Sequence, residues 1–304
     1  MNIVFMGSPE FALPSLEKIY NSKHTIKAVV SNIDKRRGRG SSTAPTPVKS
    51  KAIELGLSVI EVDDLKSEKF ENQLKALEPD LFVVVAFRIL PKNLLKIPKK
   101  GSVNLHASLL PKYRGAAPIH WAVMNGEEET GCTIFFLDED VDTGKIIKQK
   151  KISIGDNETT GEVYERLMNI GSEVLINAVD EIDEGSYTTI SQNNSLATPA
   201  PKIFKDDCHI NFNQAAKVVH NKIRGLSPFP TAWARLDGEK FNIYKSQLGS
   251  FANIDPGELL VRDGKLLVGC SDGTLELLEI QLPGKKKMEI QNFLAGNTIE
   301  GFLK

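Results

Sequence analysis

The chain has 304 residues, a net charge of −1 at pH 7, 41% hydrophobic residues and 25% charged residues. These values are ordinary for a globular protein, and the length suggests two domains of roughly 100–200 residues each. The composition excludes a disordered or fibrous protein. Because the net charge is close to zero, any contact with nucleic acid must depend on a local basic patch.

The cysteines and the apolar segments narrow the class of protein. Cys132, Cys208 and Cys270 are widely spaced and form no CxxC pair, so the sequence supports neither a disulfide framework nor a zinc ribbon. The first residues, Met-Asn-Ile-Val-Phe-Met-Gly, lack the basic start and the apolar length of a signal peptide. No stretch approaches about 18 apolar residues. We therefore expect a cytoplasmic protein with no membrane partner.

The first part of the chain alternates between short apolar runs and helical periods. Strands are predicted at 3–6, 26–30, 57–62, 81–87, 102–105, 133–137 and 146–152, and the longest helix at 159–182. The run from Leu81 to Ala86 has no polar alternation, which is typical of a parallel strand buried on both faces. This alternation predicts an α/β domain over residues 1–185, with a doubly wound, mostly parallel, Rossmann-like sheet.

The second part of the chain has a different texture. Residues 186–205 are predicted to be a linker, because 186–201 are rich in Ser, Thr, Asn and Pro. A helix near 214–224 is followed by short strands at 232–236, 241–245, 258–261, 266–268 and 275–280. Asp-Gly turn signals separate several of these strands. The spacing predicts a small, OB-like β-barrel domain over residues 206–304.

Two polar side chains mark the end of the fifth predicted strand. Asn104 and His106 are two residues apart and therefore point to the same face, at the edge where open α/β sheets hold their ligands. An amide beside an imidazole can stabilise an oxyanion, and the imidazole can move protons near neutral pH. Asp142, in a later turn between two strands, can orient such a histidine. Taken singly, each of these residues also fits an ordinary structural role.

A longer motif begins at the same place. Residues 104–115, Asn-Leu-His-Ala-Ser-Leu-Leu-Pro-Lys-Tyr-Arg-Gly, closely resemble a signature of the 10-formyltetrahydrofolate-dependent formyltransferases, and Asp-Thr-Gly at 142–144 also matches. The resemblance covers nearly the whole chain, since residues 5–12, 38–40, 47–49 and 224–233 are similar to members that act on methionyl-tRNA. One departure is Ala-Phe-Arg-Ile-Leu-Pro at 86–91, which is one residue shorter than in many members. We expect the folate-pocket wall to differ there in detail.

The resemblance implies a formyl-transferring enzyme with Asn104, His106 and Asp142 as its catalytic residues. It also implies a set of residues that line the tetrahydrofolate site: Ser108, Leu109, Leu110 and Pro111. It implies 10-formyltetrahydrofolate as formyl donor and co-substrate, no metal, and initiator methionyl-tRNA as the acceptor. The C-terminal barrel is expected to contact the tRNA, and the protein is expected to be a monomer.

A basic segment follows the second predicted strand. Residues 34–45 carry four basic residues against one acid and are rich in Gly, Ser and Pro, which predicts a mobile loop near the ligand edge of the sheet. By itself such a loop is usually only solvated. The resemblance implies a contact with the acceptor-stem region of tRNA through the basic residues Lys35, Arg36, Arg37 and Arg39, with Arg39 as the leading contact.

Two other functions stay open at this point. A formyltransferase acting on an amino sugar nucleotide or a purine precursor has the same catalytic residues, although the purine enzyme lacks a comparable second domain. A non-catalytic RNA- or folate-binding module is the alternative from another class, and the intact set of Asn104, His106 and Asp142 disfavours it. A formyl-transfer assay with several acceptors distinguishes these functions.

Overall fold

The computed structural model describes residues 1–36, 43–249 and 253–304. The chain forms two compact units, each assembled from three segments. Unit 1 contains Met1–Gly115, Gly131–Lys151 and Glu165–Pro199, and unit 2 contains Ala116–Thr130, Ile152–Tyr164 and Ala200–Lys304. Two segments from the first half of the chain thus belong to unit 2. Within the described ranges, no helix has both the length and the apolar character needed to cross a membrane.

The elements up to residue 200 follow the predicted strand and helix alternation. The strands are β1 (Asn2–Gly7), β2 (Thr25–Asn32), β3 (Lys35–Arg36), β4 (Thr43–Ala44), β5 (Val59–Val62), β6 (Leu81–Val85), β7 (Ser102–His106), β8 (Arg114–Gly115), β9 (Glu129–Phe136), β10 (Ile146–Ser153) and β11 (Pro199–Ala200). The helices are α1 (Leu13–Tyr20), α2 (Pro47–Glu54), α3 (Glu68–Ala76), α4 (Lys92–Leu95), α5 (Pro118–Met124) and α6 (Thr160–Glu184).

Seven of these strands form one sheet, in the order β10-β9-β7-β6-β1-β2-β5. The neighbours from β5 to β7 are parallel, whereas β9 runs antiparallel to β7. Every residue of β6 is buried, as predicted for a strand covered on both faces. The strand ends at Val85, two residues before its predicted end, because Ala86 adopts a left-handed φ of 47° that extended backbone does not tolerate. The predicted doubly wound, mostly parallel sheet is confirmed.

Helix starts in this part of the chain are defined by local signals. Thr46 precedes α2, and its hydroxyl accepts a hydrogen bond from the backbone N of Lys49 at 3.1 Å, while Pro47 occupies the first helical position. Ser67 caps α3 in the same way, accepting from the backbone N of Phe70. These caps explain why the helices begin directly after the loops that leave the sheet.

Residues 186–199, which we call the strap, run along unit 1. Ile190 pairs with Ile146 of β10 through two backbone hydrogen bonds of 2.8 and 2.9 Å. Further along, the carbonyl oxygen of Thr198 accepts a hydrogen bond from the backbone N of Arg114 at 2.9 Å. The polar strap, which is part of unit 1, is therefore held at both ends, beside β10 and β8.

Unit 2 also contains a helix followed by an antiparallel sheet. Its later elements are α7 (Ala216–Gly225), β12 (Ala232–Leu236), β13 (Glu239–Leu248), β14 (Leu259–Arg262), β15 (Lys265–Cys270), β16 (Gly273–Gln281), β17 (Met288–Glu289) and α8 (Ile290–Leu294). The strand order is β12-β13-β16-β15-β14, with β17 paired to β16. Asp237-Gly238 and Asp263-Gly264 have positive φ at both positions and make the predicted tight turns.

The end of the chain closes this sheet. The backbone N of Lys304 donates to the carbonyl oxygen of Arg235 on β12 at 2.8 Å. The backbone N of Leu259 on β14 donates to the carbonyl oxygen of Gly301 at 2.9 Å. The last residues thus join the two edge strands, which removes both free edges and produces the predicted small β-barrel. Its core includes Phe241, which is fully buried.

Candidate active site

His106 ends β7 and is buried, with 6% of its surface exposed. Its Nε2 lies 2.8 Å from the carbonyl oxygen of Tyr113. A carbonyl only accepts, so Nε2 carries the hydrogen of this bond. The ring of Phe135 packs edge-on against the imidazole, with 6.4 Å between the ring centroids. Nδ1 is therefore the ring atom that remains for chemistry.

Asp142 faces that nitrogen. Its Oδ2 lies 3.7 Å from His106 Nδ1 and accepts a hydrogen bond from the backbone N of Gly115 at 2.8 Å. The carboxylate is mostly buried, with 14% of the side chain exposed. At 3.7 Å the contact is an ion pair whenever the imidazole is protonated, and longer than a hydrogen bond. The structure thus brings His106 and Asp142 together across a long stretch of sequence.

The backbone of Asp142 is left-handed, with a φ of 56°. The turn that contains it is held by Asp138, whose Oδ1 accepts from the hydroxyl of Thr143 at 2.6 Å. In the same turn, a hydrogen bond from the ammonium of Lys92 lowers the pKa of Glu139. Gly144 follows, and a Cβ at this position would lie 1.7 Å from the carbonyl oxygen of Phe136. Only glycine fits there, so the turn can approach the end of β9.

Asn104 is the central residue of β7, two residues before His106. It pairs with Val84 of β6 and Phe135 of β9 in the sheet, and its side chain is half-buried. Among the described residues, its amide makes no hydrogen bond with another side chain or with the backbone. On neighbouring β9, burial raises the pKa of Cys132 to about 11, so this strand offers no thiolate near neutral pH. Within the described part of the chain, the Asn104 amide is thus available to bind a ligand.

The segment predicted to bind tetrahydrofolate is a turn after β7. The hydroxyl of Ser108 donates to the carbonyl oxygen of Lys112 at 2.7 Å, and Ser108 is fully buried. Leu110 is also buried, whereas Leu109 and Pro111 are half-buried. The Ser108 hydroxyl is therefore committed to the shape of the turn. The surface available to a ligand consists of Leu109, Pro111 and the backbone.

The segment 86–91, which is one residue shorter than in many family members, is held in place by Arg88. The guanidinium of Arg88 donates to the carbonyl oxygens of Val62 and Asp63 at 2.7 and 2.6 Å and lies 5.5 Å from the ring centre of Phe87. Ile89 is 74% exposed. Arg88 thus ties the segment 86–91 to the end of β5, a contact that the family motif did not suggest.

Sequence reasoning missed one residue beside the site. Gln192 of the strap donates from Nε2 to the carbonyl oxygens of Asp142 and Gly144, at 2.9 and 2.8 Å. Its Oε1 accepts from Nη2 and Nε of Arg114, at 2.7 and 3.2 Å. No local signal identifies this residue, because it lies in a polar segment with the composition of a linker.

The basic loop is described only at its base. Lys35 and Arg36 form β3, whose backbone pairs with Thr43 and Ala44 of β4. The other predicted tRNA contacts, Arg37 and Arg39, lie outside the described residues.

An aromatic and basic surface was also not predicted. On unit 2, the ring of Trp233 lies 4.6 Å from the ring of His209, and the charged groups of Arg235 and Lys240 lie 5.7 and 5.6 Å from its centre. Nearby along the chain, Phe204 is 62% exposed. We call Phe204, His209, Trp233, Arg235 and Lys240 the tryptophan surface. Trp233 is half-buried: it packs on the core of unit 2, and its ring also lies beside two cations.

Comparisons with known proteins identify formyl transferases as relatives over nearly the whole chain. A formyl transferase family model matches residues 1–179, and the model of the formyl transferase C-terminal domain matches residues 202–298. A methionyl-tRNA formyltransferase of Porphyromonas gingivalis is 42% identical over 97% of this chain and 95% of its own length. Enzymes of that name from Chlorobium luteolum, 44% identical, and Caldanaerobacter subterraneus, 40% identical, match over 96% and 98% of their lengths.

Solved structures share the fold at lower identity. A sugar 3N-formyl transferase superposes with a TM-score of 0.69 at 22% identity, over 94% of this chain and 99% of that one. An N-formyltransferase from Helicobacter canadensis superposes with a TM-score of 0.68 at 23% identity, over 90% and 98% of the two chains. With both family models matched and relatives above 40% identity over nearly its whole length, this chain belongs to the formyl transferase family.

Proposed function

We propose that the protein transfers the formyl group of 10-formyltetrahydrofolate to the α-amino group of methionyl-tRNA, as a methionyl-tRNA formyltransferase. The observation that carries this proposal is identity above 40% to enzymes of that name over both units. The meeting of His106 and Asp142 at 3.7 Å supplies a site for the chemistry.

In this proposal, Asn104 and His106 stabilise the charge that develops on the formyl oxygen. The amine nitrogen forms a bond to the formyl carbon while the carbonyl electrons move to oxygen. The amide of Asn104, which has no other hydrogen bond among the described residues, donates to that oxygen. Protonated His106 donates from Nδ1, because Nε2 is held by Tyr113. Such donors are held in position before the reaction, and each one typically raises the rate by a factor of about 10²–10³.

Asp142 is assigned the transfer of a proton from the attacking amine to the folate leaving group. Its Oδ2 is occupied by the backbone N of Gly115 and faces His106, so we assign proton transfer from the attacking amine to Oδ1. The proton is passed on to the folate nitrogen, N10, as the bond between that nitrogen and the formyl carbon breaks. General acid–base help of this kind contributes about 10²–10⁴.

The turn at 108–111 is proposed to bind the folate donor beside these groups. Leu109 and Pro111 present apolar surface, while Ser108 holds the turn through Lys112 and Leu110 anchors it in the core. This arrangement suits a flat, partly apolar ligand better than a phosphate, since the segment has no cluster of donors. We expect Leu109→Ala to raise KM for the donor more than it lowers kcat.

The function is tested by an acceptor comparison. Purified protein and formyl donor are incubated separately with methionyl-tRNA, an amino sugar nucleotide and glycinamide ribotide. We expect kcat/KM for methionyl-tRNA to exceed the other two by at least about 100-fold, since a site built for one acceptor leaves polar groups unpaired with another. A preference for the amino sugar nucleotide, or no transfer to any acceptor, would reject the proposal.

Two surfaces are proposed to contact the tRNA. The first is the loop with Lys35, Arg36, Arg37 and Arg39, which leaves the sheet after β2, at the same edge as Asn104 and His106. The second is the tryptophan surface of unit 2, where the partly buried rings of His209 and Trp233 lie beside the cations of Arg235 and Lys240. Such surfaces bind single-stranded nucleic acid by stacking and charge, with about 1–3 kcal/mol per stacked base.

The salt dependence of tRNA binding tests both surfaces. Each lost phosphate contact reduces the steepness of the plot of log binding constant against log salt concentration by about 0.7–0.9. We therefore expect a flatter slope when the four basic loop residues, or Arg235 and Lys240, are changed to alanine. The matched control changes Lys217 and Arg262, whose cationic groups pair with Asp156 and Asp263. An unchanged slope in both surface variants would remove the two surfaces from the proposal.

A further inference from the structure

We infer that Gln192 is a positioning residue for the pair His106 and Asp142. Its side chain links the turn that carries Asp142 to the segment that hydrogen-bonds the Asp142 carboxylate. This inference rests on the proposed function, because it assigns Gln192 a role in the same formyl transfer. It places part of the active site's support in the strap, which lies far along the chain from the catalytic residues.

The four hydrogen bonds of Gln192 define the orientation of its amide. Nε2 donates to the carbonyl oxygens of Asp142 and Gly144, and Oε1 accepts from two nitrogens of Arg114. Exchanging the amide oxygen and nitrogen would place donors against donors and acceptors against acceptors. The side chain therefore uses its full hydrogen-bonding capacity on two backbone carbonyls and one guanidinium, in one geometry.

Gln192 joins two segments that position the Asp142 carboxylate, namely the turn that contains Asp142 and the β8 segment that contains Arg114. On one side, Gln192 holds the carbonyl of Asp142 itself, where the backbone is left-handed with a φ of 56°. On the other side it holds Arg114, and the next residue, Gly115, donates its backbone N to Asp142 Oδ2 at 2.8 Å. Gln192 thus adds a second link between the turn and β8, beside the direct bond from the backbone N of Gly115 to Asp142 Oδ2. Losing this link leaves the carboxylate less firmly directed towards Nδ1 of His106.

The burial pattern of the strap agrees with this role. Gln192 is half-buried, whereas its neighbours Ser191 and Asn193 are exposed. Within the described part of the chain, the side-chain oxygen of Asn193 accepts hydrogen bonds only from Ser195, from its backbone N at 3.1 Å and its hydroxyl at 2.8 Å. Asn193 is therefore a matched control, since it offers the same amide group on the adjacent residue without touching Arg114 or Asp142.

Three variants of the full-length protein separate the contacts. Gln192→Leu removes all four hydrogen bonds at similar side-chain size. Gln192→Glu keeps the acceptor for Arg114 but loses both donors to the Asp142 turn. We expect kcat for methionyl-tRNA formylation to fall about 10- to 100-fold in both, because small displacements of a catalytic group have effects of that size. KM for the formyl donor should change less than about threefold, and Asn193→Ala should retain kcat within about twofold.

A double-mutant cycle distinguishes positioning from general stability. If Gln192 acts through Asp142, adding Gln192→Leu to Asp142→Ala should change the residual activity by less than about twofold. A purely structural role would lower activity by the same factor in both backgrounds and would overturn the inference. Full kcat in Gln192→Glu would also overturn it, and this variant decides the matter if Gln192→Leu fails to fold. Wild-type protein that formylates no acceptor would instead reject the proposed function.

Discussion

At the scale of single residues, the imidazole of His106 has one nitrogen available. Tyr113 holds Nε2, so the roles proposed for His106 and Asp142 both pass through Nδ1 and the carboxylate facing it. In the proposed mechanism the two side chains therefore act as a pair, with Asn104 as the second hydrogen-bond donor.

The residue-scale prediction concerns these three groups. Asn104→Ala, His106→Ala and Asp142→Ala should each lower kcat by about 10²–10³, because each removes a group that meets developing charge. Their combined effect should be smaller than the product of the single effects, since the groups act together. Steady-state formylation by each purified variant measures the loss, and circular dichroism checks that the chain stays folded. Near-full activity of His106→Ala with methionyl-tRNA would contradict the mechanism.

At the scale of elements, helices α5 and α7 of unit 2 meet at a glycine. A Cβ on Gly225 would lie 2.3 Å from Met124 Cγ and 2.8 Å from the backbone N of Met124. A backbone atom cannot move aside as the end of a flexible side chain can. The absence of a side chain at Gly225 therefore sets the distance between the two helices.

Gly225→Ala should accordingly destabilise unit 2 by about 1–3 kcal/mol, the usual cost of overpacking a core. Gly273→Ala is the control, because a Cβ there meets no atom within 4 Å and its φ is not positive. Chemical denaturation followed by tryptophan fluorescence compares the two variants with wild type. Equal midpoints for Gly225→Ala and Gly273→Ala would show that the helices can separate at little cost.

Helix α7 also carries a buried histidine. Burial lowers the pKa of His220, and nearby Arg224 and Lys217 lower it further, although the bond from Nε2 to the carbonyl of Asp156 opposes this. The unfolded chain, with a pKa of about 6.5, therefore takes up the proton first as pH falls. The stability associated with neutral His220 is complete above about pH 6.5 and is lost as pH falls towards the lowered folded pKa.

We expect His220→Gln to be less stable than wild type at pH 7.5, since it disturbs the bonds to Ser246 and Asp156. The difference in unfolding free energy should shrink at pH 5.5, where wild type has lost part of its stability and glutamine has no proton to gain. Urea unfolding at the two pH values measures both differences. A difference that grows on acidification would reverse the sign of this argument.

At the scale of the whole molecule, the two compact units are interleaved along the chain. Residues 116–130 and 152–164 belong to unit 2, although they precede the last segment of unit 1. Helix α5, in the first of these segments, buries Ile119, Ala122 and Val123 and packs against α7. A cut near residue 185 therefore removes most of unit 2 but leaves α5 without its partner.

A fragment of residues 1–185 should consequently be less stable than the full chain, with a lower melting temperature or exposed apolar surface that binds a hydrophobic dye. It should also transfer formyl groups to methionyl-tRNA poorly, because it lacks both Gln192 and the tryptophan surface. Thermal unfolding, dye fluorescence and a tRNA formylation assay test these expectations. A fragment with unchanged melting temperature and unchanged kcat/KM would remove the role assigned to unit 2.

The sequence by itself determined the features that depend on neighbouring residues. The unbroken apolar run at 81–86 predicted the central buried strand, and the two-residue spacing placed Asn104 and His106 on one face. Asp-Gly pairs predicted two tight turns of the barrel. These predictions succeed because strand periodicity and turn conformation follow from local backbone sterics. The family motif added the roles proposed for residues distant from one another.

Only the tertiary structure decided which distant segments meet. It brought Asp142 to His106, assigned Nε2 to Tyr113, and placed Gln192 of an unremarkable polar segment against Asp142 and Arg114. It also joined the last residues to β12 and β14. Such contacts depend on sheet register and on which chain segments pack together. Hydrogen-bonding partners that lie far apart along the chain leave no periodic pattern in a single sequence.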